Sequence, residues 1–153
     1  MRTKIFFIVI LTLCQLGCIG IVDRRSGLQD AQRKLEESQS RTRELAYKRL
    51  DEAINHEYQF YNCMTGYAQG HSAANASATE IAEAGLSECR RPLDEYSYDI
   101  TTYFDLMGTA SMTSINQQAS LSRMAKENAQ KQIDKVTESG KRKAIGTVIG
   151  NRK

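Results

Sequence analysis

The sequence predicts an all-α protein, an elongated antiparallel helical hairpin with one helix over about residues 28–69 and a second over about residues 78–137. Three observations lead there. The 153 residues hold one proline and no tryptophan, and the segments between glycines are long, so the regular turn punctuation of a sheet protein is missing. Apolar residues recur at three- and four-residue steps over long stretches, the period of one helix face. A small polar connector, His71 to Ala76, separates two such stretches and runs into Ser77-Ala78-Thr79-Glu80, the pattern of a capping box at a helix start.

The N-terminus comes first. Arg2 and Lys4 precede the nearly uncharged run IFFIVILTLCQLGCIGIV, which ends at Asp23. Basic residues followed by an apolar run form the pattern of an export signal. As a helix the run would reach about 27 Å, enough to span a bilayer. Three readings stand side by side. Leu16-Gly17-Cys18 resembles the end of a bacterial lipoprotein signal, with Cys18 as the lipidated residue, although Gln15 stands where that pattern has an aliphatic side chain. Cleavage after Gly20 is the second reading, and a retained signal anchor is the third. Each places the chain after residue 23 outside the cytoplasm, on the periplasmic side of a bacterial membrane.

Export sets the expectation for the thiols, because cysteines outside the cytoplasm tend to pair. Cys14 and Cys18 belong to the signal, which leaves Cys63 and Cys89 to form one disulfide. Neither has a nearby second cysteine at metal-ligand spacing, so a zinc site has little support.

In the first helix Ala46, Leu50, Ala53, Ile54, Phe60, Tyr61, Met64 and Ala68 recur at three- and four-residue steps and mark one face. Before Leu45 this stripe thins among charges, with acid-before-base pairs four apart at Asp30/Lys34, Glu37/Arg41 and Glu44/Lys48. Residues 23–44 therefore read as a charged stalk or a flexible tether. The helix is expected to end near Gly70, in a left-handed cap. In the second helix, positions 82, 85, 89, 93, 96, 100, 103, 107 and 110 keep one phase through Pro92. That predicts a single helix kinked at Pro92; the alternative is a three-helix bundle with a break there. Beyond residue 110 the frame meets Ser114, Gln117 and Asn128, which predicts looser packing. An antiparallel register about residue 76 would set Met107 against Leu45 and Leu121 against Ala31. The domain plan is thus a signal or anchor over 1–22, a stalk over 23–44, a hairpin over 45–137 and a basic tail over 138–153.

Charge is uneven along this plan. Residues 51–110 carry two basic and ten acidic groups, and residues 111–153 carry nine basic and three acidic. An acidic centre beside a basic end suits a chain folded back on itself, or a basic end seeking an anionic surface. The tail is expected to leave the helix at Gly140. Its cations Lys141, Arg142, Lys143, Arg152 and Lys153 are candidates for membrane-surface contact, set against a disordered basic end.

No catalytic constellation is visible. There is no Gly-x-Ser-x-Gly, no P-loop and no free Cys beside a His. Glu52 and His56 share a helix face but lack a third ligand, and His71 lies in the connector. No enzyme activity, cofactor or metal is expected, and no nucleic acid. Asp94, Asp99 and Asp105 around Tyr98 make an acidic, tyrosine-bearing face suited to protein contact, while Tyr96 and Tyr103 read as core.

A cysteine late in one helix, a small polar connector and then SATEIAEAGLSEC resemble a class of small exported bacterial proteins with a two-cysteine helical hairpin, of no settled activity. The resemblance covers roughly residues 50–105 and implies the hairpin and its disulfide. The expected function is a non-enzymatic, envelope-anchored interaction or structural protein. Its partners would be the membrane, through the N-terminal anchor, and an unidentified envelope protein; self-association stays open. The alternative is a membrane-bridging or membrane-active accessory protein with phage-lysis logic. A small metal-binding or enzymatic module is a third.

Overall fold

The computed structural model describes the backbone of residues 2–153 and the side chains of residues 27–114 and 116–153. The readings of residues 1–22, including Cys18, lie outside the described side chains. Among the described residues no helix is long and apolar enough to cross a membrane.

The fold is all-helical, as the periodicity predicts. Helix α1 spans Arg2–His71, α2 Ala78–Glu88, α3 Arg90–Ala110 and α4 Gln118–Asn151, with a 3-10 turn at Ile115–Gln117 before α4. The chain divides into two units, residues 1–40 and 41–153. In the first, the described part of α1 is solvent-exposed, with Leu28 and Leu35 more than half accessible. Its Asp30 carboxylate pairs with Arg33 at 3.3 Å, three residues on, rather than with Lys34.

The second unit is a bundle of three strands of helix. Residues 41–71 of α1 run antiparallel to α2 and α3, as the Cys63–Cys89 disulfide and the contacts of Arg49 and His56 with α3 show. Helix α4 runs parallel to α1, since Phe60 meets Gly140, Tyr61 meets Lys143 and Arg152 meets the residue after α1. The core holds Ala53, Phe60 and Met64 of α1, Ile81 of α2, Tyr96 and Ile100 of α3, and Val136, Ala144 and Val148 of α4.

The α1–α2 connector is held from several sides. Among the described residues no backbone has positive φ, so the left-handed cap expected near Gly70 does not form. The end of α1 is closed instead by the Ser72 hydroxyl, which donates to the Gln69 carbonyl at 2.9 Å. The capping box forms as predicted. Glu80 N–H donates to Ser77 Oγ at 3.2 Å, and Ser77 N–H donates to the Glu80 carboxylate at 2.7 Å, which holds that carboxyl below its ordinary pKa.

The kink falls at Cys89, the one residue between α2 and α3. Pro92 explains the position: it has no N–H for the Glu88 carbonyl and its ring crowds that group. The apolar phase survives the kink, with Ala82, Gly85, Cys89, Tyr96, Ile100 and Ala110 all buried.

Two expectations about the second arm need correction. The helix does not continue to residue 137; it stops at Ala110, and the chain turns through residues 111–117. Thr109, Ser111, Thr113 and Ser114 place a run of hydroxyls where they compete for backbone groups. The Ser111 hydroxyl donates to the Met107 carbonyl, and Gln117 Oε1 accepts from both the Thr113 amide and hydroxyl. Leu121 consequently lies against Gly108 of α3, not opposite Ala31.

The second correction concerns the tail. Residues 138–153 are neither separate nor irregular: α4 runs through Gly140 to Asn151, and Gly140, Ala144 and Val148 are buried. A Cβ at residue 140 would stand 2.8 Å from Phe60 Cζ and closer still to Cε1. Gly140 is the point where the Phe60 ring enters, not a helix stop.

Candidate functional site

The sequence reading places Asp94, Tyr98, Asp99 and Asp105 on one acidic surface. The bundle separates them. Asp94 and Asp105 are exposed, and Tyr98 is 64% accessible. Asp99 is 3% accessible and is an inner residue. It lies three positions after Tyr96 and beside Ile100, so α3 turns it toward α1.

A buried carboxylate needs partners, and α1 supplies two. Arg49 Nη1 donates to Asp99 Oδ1 at 3.1 Å, and His56 Nδ1 donates to Asp99 Oδ2 at 2.9 Å. Arg49 also donates to Glu52 at 2.6 Å. Glu52 first, and then Asp99, raise the pKa of the Arg49 guanidinium against the opposing effect of burial. On the other side of the imidazole, His56 Nε2 faces the Glu95 carboxylate at 3.6 Å. Glu95 in turn accepts from Arg91 at 3.0 Å, and Arg90 lies 3.4 Å from Asp94. The Arg49 guanidinium lies 5.7 Å from the centre of the Tyr98 ring, so the residue that satisfies Asp99 also steadies the exposed tyrosine.

This seam pins α1 to α3 one helical stretch below the disulfide. Its members line a shallow open groove of about 450 Å³. A His–Asp pair invites comparison with a general base, but Nε2 faces Glu95 rather than a hydroxyl or thiol, and both cysteines nearby are joined. Glu52 and His56 line the same groove, but Glu52 pairs with Arg49 and His56 with Asp99 and Glu95. Among the described residues no group of three or more His, Cys, Asp and Glu has the arrangement of a metal site.

The tail cations have specific positions as well. Lys141 bridges Glu83 of α2 at 3.0 Å and Glu138 at 3.5 Å; the bond to Glu83 is the main reason its pKa is raised. The Lys143 ammonium sits 3.7 Å above the Tyr61 ring. Arg152 donates from Nε to the Ser72 carbonyl at 2.8 Å, and from Nη2 to Ala74 at 2.8 Å and Ala76 at 2.6 Å. Arg142 is exposed and donates to the Glu138 carbonyl at 3.3 Å, and Lys153 is exposed. Thus Lys141, Lys143 and Arg152 face the bundle's own groups.

The sequence reading passed over Arg49. The available signal was its spacing: 49, 52 and 56 step by three and four along one face of α1. What it would meet on α3 depends on the antiparallel register, which places Asp99 between Arg49 and His56. Compared with known proteins, the chain matches no family model, no curated protein and no solved structure.

Proposed function

We propose that the chain is a non-enzymatic, envelope-anchored interaction protein that presents a disulfide-braced helical bundle to a protein partner. The observation that carries this reading is Tyr98. It is a large aromatic side chain, exposed yet held in place by Arg49, and flanked along α3 by the exposed carboxylates of Asp94 and Asp105. A preordered tyrosine gives contact area at small entropy cost, and the acidic flank favours a basic partner surface.

The bracing serves the same end. The disulfide closes a loop of 26 residues, worth about 3.5 kcal/mol by chain entropy, and the Asp99 seam fixes the register beneath it. Envelope anchoring draws on the N-terminal segment alone. Fatty-acid labelling of wild-type and Cys18→Ser chains tests it; an unlabelled wild type refutes lipidation.

The membrane-bridging alternative draws on the basic tail and has less to use, because Lys141, Lys143 and Arg152 are engaged within the bundle. The partner-face reading is tested by placing a photo-crosslinking residue at position 98 of the exported chain, with the exposed position 127 as control. One discrete adduct, specific to position 98 and abolished by Asp94→Lys with Asp105→Lys, is expected. Equal adducts at 98 and 127, or an adduct indifferent to charge reversal, would refute it.

A further inference from the structure

A second groove shares no residue with the Tyr98 face. It lies where α1, α3 and α4 meet and has a volume of about 270 Å³. Leu50, Ile54 and Ile100 form apolar walls, and Tyr96, Tyr103 and Phe104 contribute rings, the last two packed edge to face at 5.1 Å between centres. One group in the lining is out of keeping. Glu57 stands in the apolar stripe of α1, between Ala53 and Phe60, and is the one charged residue of the groove.

A half-buried carboxylate among apolar groups normally carries a cation partner. The ion pairs of the described residues lie elsewhere, and none includes Glu57. One turn on stands Tyr61, whose pKa the Glu57 carboxylate helps to raise. The Lys143 ammonium of α4 sits on the face of the Tyr61 ring. Burial first, and then the Glu57 charge, push Tyr61 and Tyr96 up to about 12, as expected where a carboxylate's field is not cancelled locally.

We propose that this groove binds a small hydrophobic organic cation, with its ammonium paired to Glu57 and its body against the Tyr96, Tyr103 and Phe104 rings. The charge of Glu57 is the complement such a ligand supplies, and tyrosine faces attract ammonium groups. Few, well-placed polar groups in an apolar cleft are the usual make-up of a small-molecule site. At ~30 Å³ per water the volume equals roughly nine waters, so the body that fits has about ten non-hydrogen atoms, such as a phenylalkyl ammonium.

The test uses the full, disulfide-intact chain and three probes of one shape: phenethylammonium, phenethyl alcohol and 3-phenylpropionate. Binding is followed by calorimetry and by chemical-shift changes at groove residues. The ammonium is expected to bind at least about tenfold more tightly than the alcohol, and the carboxylate not at all. Glu57→Gln should cost the ammonium about tenfold and leave the alcohol unchanged. Ile54→Trp, at a rim position that is 55% accessible, should weaken both neutral and cationic probes, and it decides the matter alongside the wild-type comparison if Glu57→Gln does not fold. Alcohol bound as tightly as ammonium, shifts confined to residues outside the groove, or full ammonium affinity in a folded Glu57→Gln chain would each overturn the assignment.

Discussion

The Phe60 ring packs directly on Gly140, in the space a Cβ would occupy. Phe60 is fully buried, and it reaches α4 only because residue 140 has no side chain. In an exposed helix Gly→Ala stabilises by about 1 kcal/mol. Here the overpacking term, about 1–3 kcal/mol, opposes that gain and should win. Gly140→Ala is expected to lower the urea midpoint, and Phe60→Leu should then be less harmful in the Gly140→Ala background than in the wild type. Additive effects of the two changes would show that the contact is not what matters at Gly140.

Asp99 and Asp94 lie five residues apart on α3 and should behave differently. Asp99 is buried and accepts from Arg49 and His56. Its replacement by Ala leaves both without their inner partner, at a cost of about 2–3 kcal/mol. Asp94 pairs with Arg90 at the surface, and Asp94→Ala should change stability by less than about 0.5 kcal/mol. Denaturant unfolding of the two variants checks the contrast.

Arg152 spans from the end of α4 to three carbonyls of the α1–α2 connector. Arg152→Ala should leave the melting of the bundle within a few degrees of wild type, because the bonds are exposed and each is worth about 1 kcal/mol or less. It should instead speed protease cleavage at residues 72–76. Arg152→Lys should restore little of that protection, since an ammonium cannot reproduce the guanidinium fork. Unchanged cleavage in Arg152→Ala would remove this role.

Two of the seven tyrosines should titrate late. Tyr61 and Tyr96 have pKa values pushed up to about 12, by burial first and Glu57 second, against an ordinary value near 10. The fold favours the protonated phenols. Their contribution to stability is therefore complete below pH ~10 and is lost as pH rises from there through about 12. A phenolate absorbance titration should show a separate high-pH component, smaller in Glu57→Gln, followed by alkaline unfolding.

Reducing Cys63–Cys89 should lower stability by about 3–4 kcal/mol for its 26-residue loop. The loss should fall first on α2, the shortest α-helix of the bundle at 11 residues, because the capping box alone cannot hold so short a helix. Hydrogen exchange after mild reduction should show α2 amides opening before those of α3 and α4. Simultaneous opening of all three would contradict this ordering.

Much of the architecture is legible in the sequence, and the two departures from it have different causes. The helical class, the capping box at Ser77, the Cys63–Cys89 disulfide and the buried phase from Ala82 to Ala110 follow from local spacing or from the pairing expected of the two cysteines beyond the N-terminal run. The end of α3 was also locally marked, by the hydroxyl cluster from Thr109 to Ser114. It reads as loose packing until the Thr113–Gln117 and Ser111–Met107 bonds show the backbone leaving the helix. Gly140 and the tail are a different case. A glycine followed by a basic, apolar-dotted segment has the local marks of a helix end, and nothing nearby in sequence says otherwise.

The sequence by itself determined the periods, the caps and the cysteine pair, because each depends on residues within a few positions or on elimination. Only the tertiary structure decided what lies opposite each face. Phe60, eighty residues before Gly140, turns a helix breaker into a packing site. Arg49 and His56, more than forty residues before Asp99, turn a presumed surface carboxylate into a buried one. The register that brings these groups together is set by the whole core at once, through the volume its apolar side chains must fill, and no local pattern encodes it.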